Sequence, residues 1–283
     1  MPSLKALRKR IATVRSTQKI TKAMKMVAAA RLRRAQEAAE RARPYAAKLA
    51  ETSAVVAAGI ESEAHPLLAR REERRIDLLV LTSDRGLCGG YNANLLRQTE
   101  AFVRQRTVET AMEVVGRKGL EYFRRRGVKV VRQHVGIMTT PIPDLTRTLA
   151  AEVTQRFVDG ETDAVYLAYS RFRSAISQIP TFTPLLPVTL PAHDAPPVDY
   201  IFEPDRAALL DLLLPRYIQA VITQALLEAI ASEHGARMTA MDNATTNAAE
   251  MIGRLTLVMN RVRQAAITKE LMEIISGAEA LKG

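Results

Sequence analysis

In the stretch from Met241 to Ala265, "MDNATTNAAEMIGRLTLVMNRVRQA", apolar and small residues recur at Met241, Ala244, Ala248, Met251, Leu255, Val258, Val262 and Ala265, at steps of three and four. That interval is the seam of a coiled coil. The helix carrying it is expected to begin after Glu203-Pro204-Asp205, to be kinked or restarted at Pro215, and to run to about Leu281. At 1.5 Å per residue it would be roughly 100 Å long. An apolar stripe this narrow suits one partner helix better than a globular core.

The other end of the chain supplies a partner. From Leu4 onward the apolar positions fall at Leu7, Ile11 and Val14, then resume at Met24, Val27 or Ala28, Leu32, Ala35, Ala39 and Ala42. No proline lies between Ser3 and Pro44, and no glycine precedes Gly59. Ala, Lys, Arg, Gln and Glu fill the remaining positions, so helix propensity agrees with the periodicity. The spacing predicts a helix from about residue 4 to about 57, with Pro44 as the place for a bend and a length of roughly 80 Å. Two such helices at opposite ends of the chain are expected to wrap on each other, antiparallel.

Between them, "IDLLVL", "AMEVVG", "VKVVRQ" and "DAVYLAYS" read as strands, separated by the helical segments "NANLLRQTEAFVRQR", "KGLEYFRRR" and "DLTRTLAAEVTQRFVD". Alternating strands and helices imply a mostly parallel sheet covered on both faces. A fifth strand is expected within "SQIPTFTPLLPVTL", confined to a sheet edge by Pro180, Pro184 and Pro187. The segment "ESEAHPLLARREERR" reads as a polar linker into the first strand. The predicted organisation is therefore an N-terminal coiled-coil helix over 1–58, a linker over 59–75, an α/β domain over 76–200 and a C-terminal coiled-coil helix over 201–283.

With 283 residues, 47% of them hydrophobic, the chain can bury a sizeable core. Its single cysteine cannot form an intramolecular disulfide, which favours a cytosol-facing location. No apolar run approaches the roughly 20 residues that span a bilayer, so contact with a membrane is expected to be peripheral. The net charge of +11 is unevenly placed. Residues 1–48 hold 14 Lys/Arg against 2 acidic residues, residues 49–204 hold 19 against 19, and residues 205–283 hold 8 against 9. A basic helix could track nucleic-acid phosphates, and a basic coiled-coil nucleic-acid-binding protein is the alternative that composition leaves open. Against it, no aromatic residue precedes Tyr45.

The loop after the first strand, "TSDRGLCGGYN" (82–92), stands where an α/β protein would bind phosphate, and it holds the only cysteine. Its glycines at 86, 89 and 90 match neither the dinucleotide fingerprint nor the P-loop, and the phosphate-reaching lysine is missing. Cys88 has no histidine in a context that would activate it. The four histidines, at 65, 134, 193 and 234, lack metal-ligand spacing and read as surface or linker residues. No catalytic, cofactor or metal site is predicted.

Taken together, "STQKITKAMKMVAAARLRRAQ", "TSDRGLCGGYN", "EPD" before the last helix, "ARMTAMDNATTNAAEMI" and "RVRQAAITKELMEIISGAEAL" resemble the γ subunits of F-type ATP synthases, in order and across essentially the whole chain. The resemblance implies a mixed α+β and α/β fold. Its parts would be a long antiparallel coiled coil of the terminal helices and a Rossmann-like α/β domain with a mostly parallel five-stranded sheet. It further implies a central-stalk rotor, present in one copy per complex and free of cofactors and catalytic residues. A ring of c subunits and the ε subunit would turn with it inside a hexamer of α and β subunits, where the catalytic sites lie.

Residue by residue, the resemblance makes Met24 and Lys25 neighbours of an acidic β loop. It makes Arg237, Arg263, Gln264 and Glu270 contacts to the surrounding α and β subunits. It places Asp84, Arg85 and Cys88 in a loop that packs or slides near β, and it lets the tip "EIISGAEAL" run in an apolar collar. The inserted cysteine pair of the chloroplast relatives is absent. The implied location is peripheral, on the cytoplasmic face of a bacterial plasma membrane; a mature mitochondrial chain on the matrix face would read the same.

Overall fold

The computed structural model describes residues 3–58, 65–137, 140–191 and 202–280, with residues 278–280 described by backbone alone. In order, the elements are α1 (Leu4–Ala57), β1 (Arg75–Leu81), α2 (Tyr91–Arg104), β2 (Glu109–Val115), α3 (Arg117–Arg125), β3 (Val130–His134), α4 (Ile142–Val158), β4 (Ala164–Phe172), β5 (Gln178–Leu186) and α5 (Arg206–Ala280). Residues 59–64 of the expected linker, His193 and Leu281 lie outside the described residues.

Both long helices start on a side-chain cap. Ser3 Oγ accepts the Ala6 N–H at 3.2 Å, and Asp205 Oδ1 accepts the Ala208 N–H at 2.8 Å. Neither Pro44 nor Pro215 ends its helix. Pro44 lies on an exposed side, where solvent can reach the carbonyl that its missing N–H leaves free.

The chain divides into two compact units, one of residues up to Val27 with those from Met238 onward, the other Ala28–Arg237. The division cuts both long helices instead of falling at their ends, because their inner segments belong to the core of the α/β unit. The sheet order is β3-β2-β1-β4-β5, with parallel pairing throughout except for β4 with β5. Pro180 and Pro184 sit in β5, which pairs with β4 alone, so the prolines do mark an edge.

One face of the sheet, through Leu79, Leu81, Val165, Leu167 and Leu186, packs on α4 and on Leu210, Leu214, Ile218, Ile222 and Leu226 of α5. The other, through Leu78, Val80, Met112 and Val114, packs on Leu95 and Leu96 of α2 and Leu120 and Phe123 of α3. Each such side chain contributes about 1.5–3 kcal/mol by leaving water. The linker reading needs correcting at its C-terminal half. Leu67 and Leu68 are buried in the same core, and Val188 N–H donates to Leu67 O at 2.8 Å.

In the unit of the two chain ends, Thr21 Oγ1 meets Thr245 Oγ1 at 2.7 Å and Lys25 Nζ donates to Asp242 Oδ1 at 2.7 Å. Numbers rise along one helix as they fall along the other, so the pair is antiparallel. On α5 in this unit Met241 and Ala248 are buried, and Thr245, Ile252, Leu255, Met259, Val262 and Ala266 are half-buried. They make an inward row at alternating steps of four and three, with half-buried neighbours such as Asp242, Thr256 and Asn260 along its flanks. This corrects the expected seam. Met251, Val258 and Ala265 are exposed, and their C-terminal neighbours take the inner places, while Ala244 is half-buried beside Thr245. Both step orders return to Met241, Ala248, Leu255 and Val262, and 251/252, 258/259 and 265/266 are apolar pairs. Periodicity alone could not choose between them.

On α1 the inward stripe is unbroken, with Gln18, Thr21 and Lys25 filling the gap between Val14 and Ala28; Val27 is exposed. Ile252→Asp is therefore expected to loosen the terminal coiled coil, seen as faster backbone amide exchange over residues 7–21. Met251→Asp should leave that exchange unchanged. Equal effects would contradict the assigned seam.

Candidate functional site

The "TSDRGLCGGYN" loop joins the C-terminal ends of the parallel strands to α5. Thr82 Oγ1 donates to Val115 O at 2.9 Å and accepts the Gly119 N–H at 2.9 Å. Asp84 receives three backbone N–H groups, from Arg117 at 3.1 Å, Gly136 at 3.2 Å and Ile137 at 2.8 Å. Ser83 N–H donates to Asn92 Oδ1 at 3.0 Å, and Asn92 Nδ2 donates to Ser83 Oγ at 2.8 Å. The backbone between turns at Leu87 (φ 63°) and Gly89 (φ 56°). The loop is thus tied down at nearly every polar group.

Its tie to α5 is made by two buried side chains. Tyr91 Oη donates to Ala229 O at 3.1 Å. Arg237 donates to Gly86 O at 3.1 Å and to Glu233 Oε1 at 2.7 Å, and Nη1 stands 3.2 Å from His234 Nδ1, which accepts. Burial pushes the Glu233 carboxyl up, with Arg237 opposing. It drives His234 down to about 4, helped by Arg237 and then Arg31. Cys88 is 2% exposed and packs with Tyr91 and Ala236. Its thiol is pushed up by burial, the reverse of what a nucleophile needs. The space beneath the loop is about 10 Å³, and an anion there would meet Asp84 and Glu233.

Several expectations change accordingly. Arg237, read as an outward contact, turns inward and fastens the loop. Cys88 packs internally and half-buried Asp84 ties the loop together, so of the three residues expected near β only Arg85 is exposed. His65 and His234 are buried instead of lying at the surface, His65 Nε2 standing 3.1 Å from Asp211 Oδ1, and His134 is half-buried. The Glu233 and Arg237 pair was visible in principle as an i,i+4 acid and base on a helix; Tyr91 gave no such signal.

In the other unit, Arg263, Gln264 and Glu270 are exposed on α5, Met24 is half-buried on α1, and Lys25 is half-buried in its pair with Asp242. Lys5, Arg8, Lys9, Arg10, Arg15, Lys19 and Lys22 face solvent and form a basic side of α1.

His234 sets a pH dependence. The unfolded histidine takes its proton near 6.5 and the folded one near 4. Stability from this group is therefore complete above about pH 6.5 and declines as pH falls toward 4, by on the order of 2–3 kcal/mol. Urea unfolding at pH 7 and pH 5 should show the decline, and His234→Gln should flatten it; a slope unchanged by the substitution would contradict the assignment.

A family model described as ATP synthase matches residues 3–281. Relatives named ATP synthase gamma chain include one from Geobacter sp. (strain M21), 52% identical over 289 residues, and one from Moorella thermoacetica, 51% identical over 282 residues. Each comparison covers 100% of both chains. Among solved structures, a chain of the Tetrahymena thermophila mitochondrial ATP synthase central stalk and c-ring is 28% identical with a TM-score of 0.62, over 80% of this chain and 99% of that one. A chain of the Euglena gracilis mitochondrial ATP synthase OSCP/F1/c-ring assembly shares the fold, with a TM-score of 0.69 at 19% identity, over 98% of this chain and 94% of that one.

Proposed function

Since the chain belongs to the ATP synthase γ chain family, we propose that it is the central-stalk rotor, turned by a c-ring together with ε and driving the β subunits of an α3β3 hexamer through open and closed forms. It contributes no catalytic residue and no cofactor site of its own. The observation that carries this reading is the single helix beyond the coiled coil. Moving back along α1 from Thr21 to Leu4 moves the α5 partner from Thr245 to about Val262. Beyond that point every residue from Ile267 to Gly277 is exposed. Ile267, Leu271, Met272, Ile274 and Ile275 are 50–68% exposed. Aliphatic side chains in water along one helix mark a surface that another protein covers. An apolar collar covers them without directed bonds, so no single angle is locked.

In this reading Met24, Arg263, Gln264 and Glu270 touch the α and β subunits, and Lys25 divides its charge between Asp242 and an acidic β loop. Arg237 acts indirectly, by holding the loop that presents Arg85. The basic side of α1 attracts acidic partner loops at long range, an attraction with little angular preference. None of the described helices is long and apolar enough to cross a membrane. Attachment through the c-ring on the cytoplasmic face of a bacterial plasma membrane accounts for that.

Affinity purification of the chain from native membranes should recover α, β, ε and c, and mixing the pure chain with α and β should restore ATP hydrolysis that the isolated chain lacks. Tight ATP binding by the isolated chain, or salt-sensitive duplex binding with no α or β recovered, would sink the proposal.

A further inference from the structure

At the β3 edge of the sheet, Glu113 of β2, His134 at the end of β3 and Glu152 of α4 meet. His134 Nε2 lies 3.3 Å from Glu113 Oε1 and 3.0 Å from Glu152 Oε2, and the three atoms all lie within 4.8 Å of one another. Glu113 is 1% exposed; His134 Nε2 forms an ion pair with each carboxylate, yet none of Glu113 Oε1, His134 Nε2 and Glu152 Oε2 makes a hydrogen bond of good geometry. Two carboxylates sharing one imidazole, one of them buried, are costly to hold together. The nearby guanidinium groups relieve that cost only in part. Arg156 forks onto Asp77 at 2.6 and 3.1 Å, and Arg132 approaches Glu152 Oε2 only to 3.7 Å.

We propose that Glu113, His134 and Glu152 bind one divalent cation of the zinc class. A tetrahedral ion with bonds of about 2.0–2.1 Å needs donor atoms about 3.3 Å apart, and the two edges at His134 are already near that length. The imidazole nitrogen suits zinc-like ions, whereas magnesium and calcium seek oxygen ligands throughout. His134 and Glu152 also line a cleft of about 690 Å³, which leaves the fourth position open to water. The ion would clip β3, an edge strand paired only with β2, to α4 on the sheet's covering layer. Ligand spacing in the sequence gave no hint of this, because each donor comes from a different element.

The test uses the full chain stripped of metal and titrated with CoCl2, followed by visible absorption and then by ZnCl2 competition. One cobalt ion per chain should give an intense tetrahedral band, displaced by one zinc ion and not by MgCl2 or CaCl2, and zinc should raise the unfolding temperature. Glu152→Gln and His134→Gln should each weaken binding by more than the 10–100-fold that an outer-shell partner is worth. Should either variant fold poorly, the Nε2 nitrogen resonance of His134 in the unaltered chain must still shift on adding zinc. No band, a band that survives both substitutions, or an unmoved Nε2 resonance would overturn the proposal.

Discussion

Gly116→Ala is expected to cost more than about 4 kcal/mol, enough to leave most of the chain unfolded or degraded. Gly116 follows β2 with φ at +97°, and a Cβ there would lie 2.2 Å from Thr82 O and 2.6 Å from Thr82 C. These are backbone atoms. They cannot retreat, because Thr82 N–H and Oγ1 are bonded to Val115 O and Gly116 N–H donates to His134 O at 2.7 Å. The control is Gly127→Ala, at φ +67° with nothing within 4 Å of the added carbon. It carries only the left-handed backbone penalty, about 1–2 kcal/mol. Urea midpoints of the two variants should differ several-fold in their shift. Equal shifts would mean that the β1 and β2 ends are not as closely held as described.

The second large effect is expected at Arg237. Arg237→Ala leaves Glu233 buried without its counter-charge and frees Gly86 O, for a loss of about 3–5 kcal/mol. The double substitution Glu233→Leu with Arg237→Met removes both charges and should recover most of that loss, retaining a deficit of about 1–2 kcal/mol for the lost bond to the loop. Thermal unfolding of the single and double variants measures this directly. A double variant as unstable as the single one would show that the loop bond, not the ion pair, dominates.

These two sites also show what a sequence can and cannot reveal. The long helices were legible in kind and approximate extent because apolar residues recur at helical spacing and because no glycine or proline interrupts the first forty residues of α1; the caps at Ser3 and Asp205 emerge only in the structure. The strands were legible as short apolar runs bounded by turns, and β5 was recognisable as an edge from its prolines. What stayed hidden depends on contacts between distant segments. Thr21 and Lys25 look like breaks in an apolar stripe until Thr245 and Asp242 stand opposite them. Met251 and Ile252 fit a heptad equally well until that register is known.

Arg237 is the sharpest case. Beside a recognisable motif it reads as a surface contact, yet a buried carboxylate one helical turn away and the carbonyl of Gly86 turn it inward. The glycine-rich loop, which invited a phosphate, fastens the sheet to α5 instead.

The central claim is that this chain turns while its partners hydrolyse ATP. Ile176 is 84% exposed in the turn between β4 and β5, and Cys88 is buried, so Ile176→Cys offers a single reactive thiol for a bead. With α3β3 fixed to a surface and ATP supplied, the bead should make full turns in one direction, stopping when ATP is removed. Undiminished ATP hydrolysis with a bead that stays still would contradict the account.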